Sequence, residues 1–184
     1  MKTKTALLVI DVQDSFKANQ ERWQQRNNPE FENNLSKLIN AFKKANQPIF
    51  FVLHSDKDAA FEISSPYYKL MDFLDAGDYP LLEKTTRSVF ASTDLQMQLT
   101  KMNCNHLVIS GIQTEQCCET TTRHGADLGY KIDFVSEATL TFPIKHWKSG
   151  ESLLPDQIVE RTEYVLAKRF ASIKTVDEVL AELS

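Results

Sequence analysis

Unbroken apolar runs alternate along the chain with stretches in which apolar residues recur every three or four positions. This pattern predicts strands alternating with helices. Ala6 to Ile10 is the first such run and stops at Asp11, as expected of a strand covered on both faces of a parallel sheet. Pro48 to Leu53 is the second, with His54 at its end, and Leu107 to Ile109 is another. Between the first two, Leu35, Leu38, Ile39 and Phe42 fall at i, i+3, i+4 and i+7, one apolar face of a helix. Asn28-Pro29-Glu30 precedes it as a helix start, with Asn28 as the cap. Residues 14–29 are polar apart from Phe16 and Trp23 and predict a loop or frayed helix.

Further along, Leu81 to Lys84 leads into an extended piece, Thr85 to Phe90, and Thr93-x-x-Gln96 is a capping box for a helix carrying Leu95, Leu99 and Met102. Glu115 to Leu128 predicts a helix and Lys131 to Ser136 a strand. Residues 137–150 form a loop over the sheet edge in which Phe142, His146 and Trp147 are available to line a pocket. Pro155 opens a helix with Ile158, Tyr164, Val165 and Phe170. A strand over Ile173 to Val176 and a helix around Val179-Leu180 end the chain. The pattern predicts one domain over residues 1–184, a three-layer α/β/α sandwich with a six-stranded parallel sheet in the order 3-2-1-4-5-6.

Composition narrows the partners. Asp and Glu (25) outnumber Lys and Arg (21), and without a dense basic run the footprint of a nucleic-acid binder is missing. Polar Met1 to Thr5 leads straight into the first strand, and no apolar run nears membrane-spanning length. Three cysteines, two of them adjacent, make a poor disulfide framework. The expectation is a cytoplasmic protein with a small-molecule substrate and no nucleic-acid or membrane partner.

Candidate chemistry clusters at strand ends. Asp11 sits where the first strand stops, at the carboxyl edge where open α/β sheets bind ligands. Leu107-Val108-Ile109 runs through Gly111 into a helix start carrying Cys117, where free amides and the positive dipole end favour a thiolate and an oxyanion. Cys118 is turned about 100° away, and Thr121 lies one turn along the face of Cys117. His124 is seven residues on, roughly 10 Å along the axis and too far for a Cys-His pair. The base is then His54 or no histidine at all. His54 with Asp56 lacks the further ligands of a zinc site, so no metal is expected. Residues 55–80 carry Phe61, Tyr67, Tyr68, Phe73 and Tyr79 and form either a pocket wall or lid, or a subunit contact.

Three blocks, Leu7 to Phe16, Lys84-Thr-Thr-Arg-Ser-Val-Phe90 and Gly111-Ile-Gln-Thr-Glu-Gln-Cys117, together resemble the signature of the isochorismatase-like cysteine hydrolases, a superfamily that includes isochorismatases, nicotinamidases and N-carbamoylsarcosine amidase. The resemblance covers nearly the whole chain. It implies a catalytic triad of Asp11, Lys84 and Cys117, a cis peptide at Ile112-Gln113 that aims backbone amides at the substrate oxygen, no cofactor, and a homodimer or homotetramer. Phe16, His54, Tyr67, Phe90, Thr121, Phe142 and Trp147 are the candidate substrate-binding residues. The implied reaction is cleavage of an amide or ureido C–N bond through a thioester, with Lys84 and the helix terminus favouring the thiolate and Asp11 moving the proton. The nicotinamidase metal pattern, Asp-x-His with a later His, is replaced by His54-Ser-Asp56-Lys-Asp58, which argues against nicotinamidase activity. A non-catalytic binding member of the fold and a vinyl ether hydrolase are the competing readings. A redox pair of Cys117 and Cys118 lacks Cys-x-x-Cys spacing, and no glycine-rich phosphate loop follows any strand.

Overall fold

The computed structural model describes residues 3–183; Met1, Lys2 and Ser184, and with them part of the polar lead into the first strand, lie outside the described residues. Six strands form one parallel sheet: β1 (Lys4–Ile10), β2 (Ile49–His54), β3 (Leu81–Lys84), β4 (Cys104–Ile112), β5 (Lys131–Leu140) and, after the outlying β6 (Ile144–Lys145) and β7 (Ser152–Leu153), β8 (Ser172–Ile173). Their order is β3-β2-β1-β4-β5-β8. This is the expected order, the sixth strand being β8 because the β6–β7 hairpin stands outside the sheet.

Alternation along β1 explains the two cores. Leu7 and Val9 pack on one face with Leu35, Leu38 and Phe42 of α2 (Phe31–Lys44) and Val176 and Val179 of the last helix, residues 176–183. Ala6, Leu8 and Ile10 pack on the other face, with residues of the helices and turns that follow β3 and β4. Both faces of the strand are covered, which is why its sequence is uninterrupted apolar. The chain passes β1, β2 and β3 in one direction and then crosses to β4 on the far side of β1. The loops leaving the carboxyl ends of β1 and β4 therefore diverge, and a crevice opens between them.

Several local expectations are corrected. Asn28 does not cap α2: it has φ 56°, and its amide donates to the carbonyls of Glu137 (2.8 Å) and Thr139 (2.7 Å), tying this loop to β5. A short helix, α1 (Gln20–Gln24), precedes it. Thr85–Phe90 is not extended. The strand is Leu81–Lys84, and a helical turn, α3 (Val89–Ser92), begins where the Ser88 hydroxyl accepts the Phe90 N–H. The next helix, α4 (Leu95–Lys101), starts with Thr93 Oγ1 accepting the Leu95 N–H. Glu115–Leu128 is not one α-helix: Thr114–Cys118 forms a wider π turn and α5 follows over Glu119–Asp127. Phe170 lies beyond the end of α6 (Pro155–Leu166), and Tyr164 on that helix is exposed. The 55–80 segment folds against the carboxyl edge, with Phe61 meeting Phe16 edge-on at 5.0 Å between ring centroids.

Candidate active site

Asp11 is the first residue after β1 and takes up left-handed backbone, φ 53°, a conformation that Asp tolerates better than most side chains. Its N–H donates to Val52 O of β2, and its carbonyl accepts the Gln13 N–H, both at 2.9 Å. Gln13 fastens this turn. Its buried amide accepts the His54 N–H at 2.7 Å and donates to the His54 carbonyl at 3.1 Å and to Ser15 Oγ at 2.8 Å. A side chain thus reads the end of β2 much as a neighbouring strand does.

Lys84 ends β3 and is fully buried. Its Nζ lies 2.7 Å from Asp11 Oδ2 and donates to Cys117 Sγ at 3.3 Å. The lysine reaches across β2, since its own register partner is His54. Asp11 Oδ1 has no hydrogen-bond partner among the described residues, which leaves acceptor capacity on a buried carboxylate.

Cys117 is placed by the π turn. Gln116 N–H and Cys118 N–H both donate to the Gln113 carbonyl at 3.2 Å. Thr114 Oγ1 donates to Thr139 Oγ1, and Thr141 Oγ1 donates to Glu115, pinning the turn to β5 and the residue after it. Cys118 points into the core with no exposure, while Cys117 lines the cavity. The Ile112–Gln113 peptide is cis. Gly111 lets β4 come close to β1 here: a Cβ on it would meet Ile10 O at 2.0 Å.

Burial dominates the electrostatics. It raises the Asp11 carboxyl above its ordinary value despite the pull of Lys84. It also pushes the Cys117 thiol up to about 12, with Asp11 adding to the rise and Lys84 opposing it. Burial thus works against the thiolate that Lys84 favours. Deprotonating Cys117 beside an ionised Asp11 puts two negative charges against one ammonium in a site removed from water. With a single proton shared between sulfur and carboxylate, the three groups are neutral in sum. Moving that proton from Cys117 to Asp11 changes no net charge, so burial does not oppose it.

An inner cavity of about 140 Å³ lies over the triad, lined by Asp11, Cys117, Gln113, His54, Arg87 and Arg22 among others. An outer cleft of about 550 Å³ shares Phe16, Arg22, Asp58 and Phe61 with it and extends past Tyr67. His54 thus lines the same cavity as Asp11 and Cys117, and Phe16 and Tyr67 line the approach. Phe142 sits one layer back, stacked on Phe16 at 5.9 Å and beneath the Arg22 guanidinium at 4.5 Å.

Phe142 and three further candidates do not line the cavity. Thr121 accepts the Val89 N–H and braces α5 against α3, and Phe90 stacks on Tyr130, beyond the end of α5, at 5.5 Å. Trp147 is 88% exposed on the β6–β7 hairpin. Sequence reasoning missed Arg87 and Arg22. Arg87 lies in the Lys84–Phe90 block and carried a signal; Arg22 lies in a polar stretch without period and carried none. The Arg22 guanidinium donates to Gln113 Oε1 at 3.3 Å.

Residues 5–154 match the family model described as the isochorismatase domain. A Bacillus subtilis (strain 168) protein described as the uncharacterized isochorismatase family protein YrdC is 27% identical over 184 residues, covering 98% of this chain and 96% of its own. Nicotinamidase 3 of Arabidopsis thaliana is 28% identical over 153 residues, covering 74% of this chain and 73% of its own. The crystal structure of a cysteine hydrolase from Pseudomonas syringae pv. phaseolicola 1448A superposes with a TM-score of 0.89 at 20% identity, covering 98% of this chain and 92% of that one. The sheet order, the strand-end residues and the family match over most of its length place this chain in the isochorismatase family.

Proposed function

We propose that this protein is a cysteine hydrolase that opens the C–N bond of a small amide or ureido compound, with Cys117 as nucleophile, Asp11 as proton carrier and Lys84 as the fixed charge between them. The observation that carries this reading is the sealed contact of one ammonium with both partners, 2.7 Å to the carboxylate and 3.3 Å to the sulfur. A buried lysine with no catalytic work to do needs only one counter-ion. This one is shared with a thiol that lines a cavity. The Arabidopsis relative bears the name of a C–N-cleaving enzyme, which supports the reaction class. Nicotinamide itself is not favoured, because residues 54–58 read His-Ser-Asp-Lys-Asp.

The steps balance around one mobile proton. As Cys117 Sγ bonds to the scissile carbon, its proton passes to Asp11 and the carbonyl π pair moves onto oxygen, next to the Gln113–Cys117 turn. Oriented backbone amides at such a position contribute about 3 kcal/mol in related chemistries. The oxyanion collapses, the C–N bond breaks, and Asp11 gives its proton to the departing nitrogen. Water then attacks the thioester while Asp11 accepts one of its protons. Collapse of that intermediate expels sulfur, which recovers the proton, and the products are a carboxylic acid and an amine. A ureido substrate follows the same course to a carbamic acid.

The test is rapid quenching of the protein with a panel of small amides and ureas, followed by peptide mass analysis. An acyl group on Cys117 that forms and decays, absent from the Cys117→Ala protein, is the expected result. Turnover persisting in Cys117→Ala overturns the mechanism.

A further inference from the structure

One wall of the inner cavity is built from His54, Arg87 and Asp56. A guanidinium carries only N–H donors, and Arg87 Nη1 lies 2.6 Å from His54 Nε2. That nitrogen must present its lone pair. Asp56 pulls the other way, since a carboxylate beside Nε2 favours a proton there, but its Oδ2 is 3.6 Å from both Nε2 and Arg87 Nη2. That distance is beyond hydrogen-bond reach, and the shorter arginine contact decides the tautomer. The ring proton is left on Nδ1. Burial, and then the charge of Lys84, lowers the affinity of His54 for a second proton, in keeping with a neutral ring.

Nδ1 is buried and has no partner among the described residues. The His54 side chain is 6% exposed and lines the cavity together with Asp11 and Cys117. A buried N–H left without an acceptor destabilises the fold unless a ligand supplies one. That wall of the cavity therefore offers a donor without a partner.

We propose that His54, held in its Nδ1–H tautomer by Arg87, is the specificity-determining donor of this site, and that the substrate carries a second acceptor oxygen, carbonyl or carboxylate, adjacent to the scissile group. This deepens the hydrolase reading and rests on it for the identity of the scissile group. Size sets a further bound. The inner cavity, about 140 Å³, is close to an engineered cavity of ~150 Å³ that holds benzene. About six heavy atoms fit there, so the scissile carbonyl and the second acceptor fill it, and any larger substituent extends into the outer cleft past Phe16 and Phe61.

Two measurements test this, and neither requires turnover. The first is two-bond 1H–15N correlation of the four histidines, with His54 identified by its loss in His54→Asn. At pH 7 the expected His54 pattern is pyrrole-type Nδ1 with pyridine-type Nε2, and Arg87→Leu shifts it toward the Nε2–H form. An Nε2–H tautomer or an imidazolium in the wild type, or no response to Arg87→Leu, overturns the tautomer. The second is binding to Cys117→Ala protein of oxamate and malonamate against propionamide and butyramide, amides of similar size lacking a second acceptor. The acceptor-bearing pair is expected to bind about tenfold tighter. That preference is lost when His54→Leu is added and retained with His54→Asn, whose amide nitrogen stands close to where Nδ1 was. Equal binding, binding by neither pair, or a preference that survives His54→Leu overturns the substrate class. If tautomer and preference hold while no acyl-enzyme forms, the hydrolase reading alone fails.

Discussion

At Cys117, the burial that shields the thiol also holds its proton. Asp11 and Lys84 act on the sulfur in opposite senses, and desolvation decides the outcome in favour of the protonated form. Alkylation of Cys117 by iodoacetamide is therefore expected to keep rising with pH through pH 10, since the thiol lies near 12 and thiolate is the reactive form. Lys84→Met removes the one charge that favours thiolate and slows labelling at every pH. A plateau below pH 8 in the wild type would mean a resting thiolate and sink the shared-proton account. For turnover, loss of Asp11 as proton carrier, in Asp11→Asn, is expected to cost at least about 100-fold. Asp11 and Cys117 were legible in the sequence because each sits where an apolar run meets its turn. Lys84, a lone lysine at the end of a short strand, gained meaning only from the family resemblance. The direction of the thiol's titration was not legible: a helix start and a lysine can be read from residue order, but the water excluded around sulfur depends on packing.

The elements that carry these residues are held by close approach more than by propensity. Gly111 has φ 125° and faces Ile10 across the β1–β4 register. Any side chain here meets the backbone of β1 at 2.0 Å, so one strand must move, and these strands present Asp11 and the Cys117 turn. Gly111→Ala is expected to cost more than about 2 kcal/mol in urea unfolding and to reduce turnover in whatever protein folds. Full stability with full turnover would show that the contact matters little. The central strands themselves could be read because burial on both faces writes a continuous apolar run. Details at the joints could not. Asn28 looks like a helix cap, yet its amide is taken by two carbonyls of β5, 109 and 111 residues away in sequence. Likewise the π turn at Thr114–Cys118 has the composition of an ordinary first helical turn. What widens it is the anchoring of Thr114 and Glu115 to Thr139 and Thr141, contacts between distant positions that no local period records.

Across the whole molecule, the two edges of the sheet respond to protons in opposite ways. The carboxyl edge keeps a buried aspartate whose pKa is raised. Toward the amino edge, Asp133 is also buried, and burial alone would raise it, but the hydrogen bond and charge of His106, then Lys174 and Lys131, together hold it below 3.8. His106 Nε2 is 2.7 Å and Lys174 Nζ 3.7 Å from Asp133 Oδ2, so the cluster joins β4 and β5 to the residue following β8. A carboxyl held below its unfolded value binds fewer protons in the native state. The stability it contributes is therefore fully present above pH 3.8 and is lost as pH falls through the lower folded value. Asp133→Asn is expected to lower stability at pH 6 by on the order of 2 kcal/mol, less than for a wholly buried pair because His106 and Lys174 each retain some exposure. It should also make stability fall less steeply than in the wild type between pH 4 and pH 2. Urea unfolding of both proteins across that range checks the sign. Parallel curves would show that Asp133 ionises alike in the folded and unfolded chains, and that acid acts on the fold elsewhere. Because this cluster lies at the opposite end of the strands from Cys117, Asp133→Asn is expected to leave the pH profile of Cys117 alkylation unchanged. That separates acid loss of the fold from acid loss of the site.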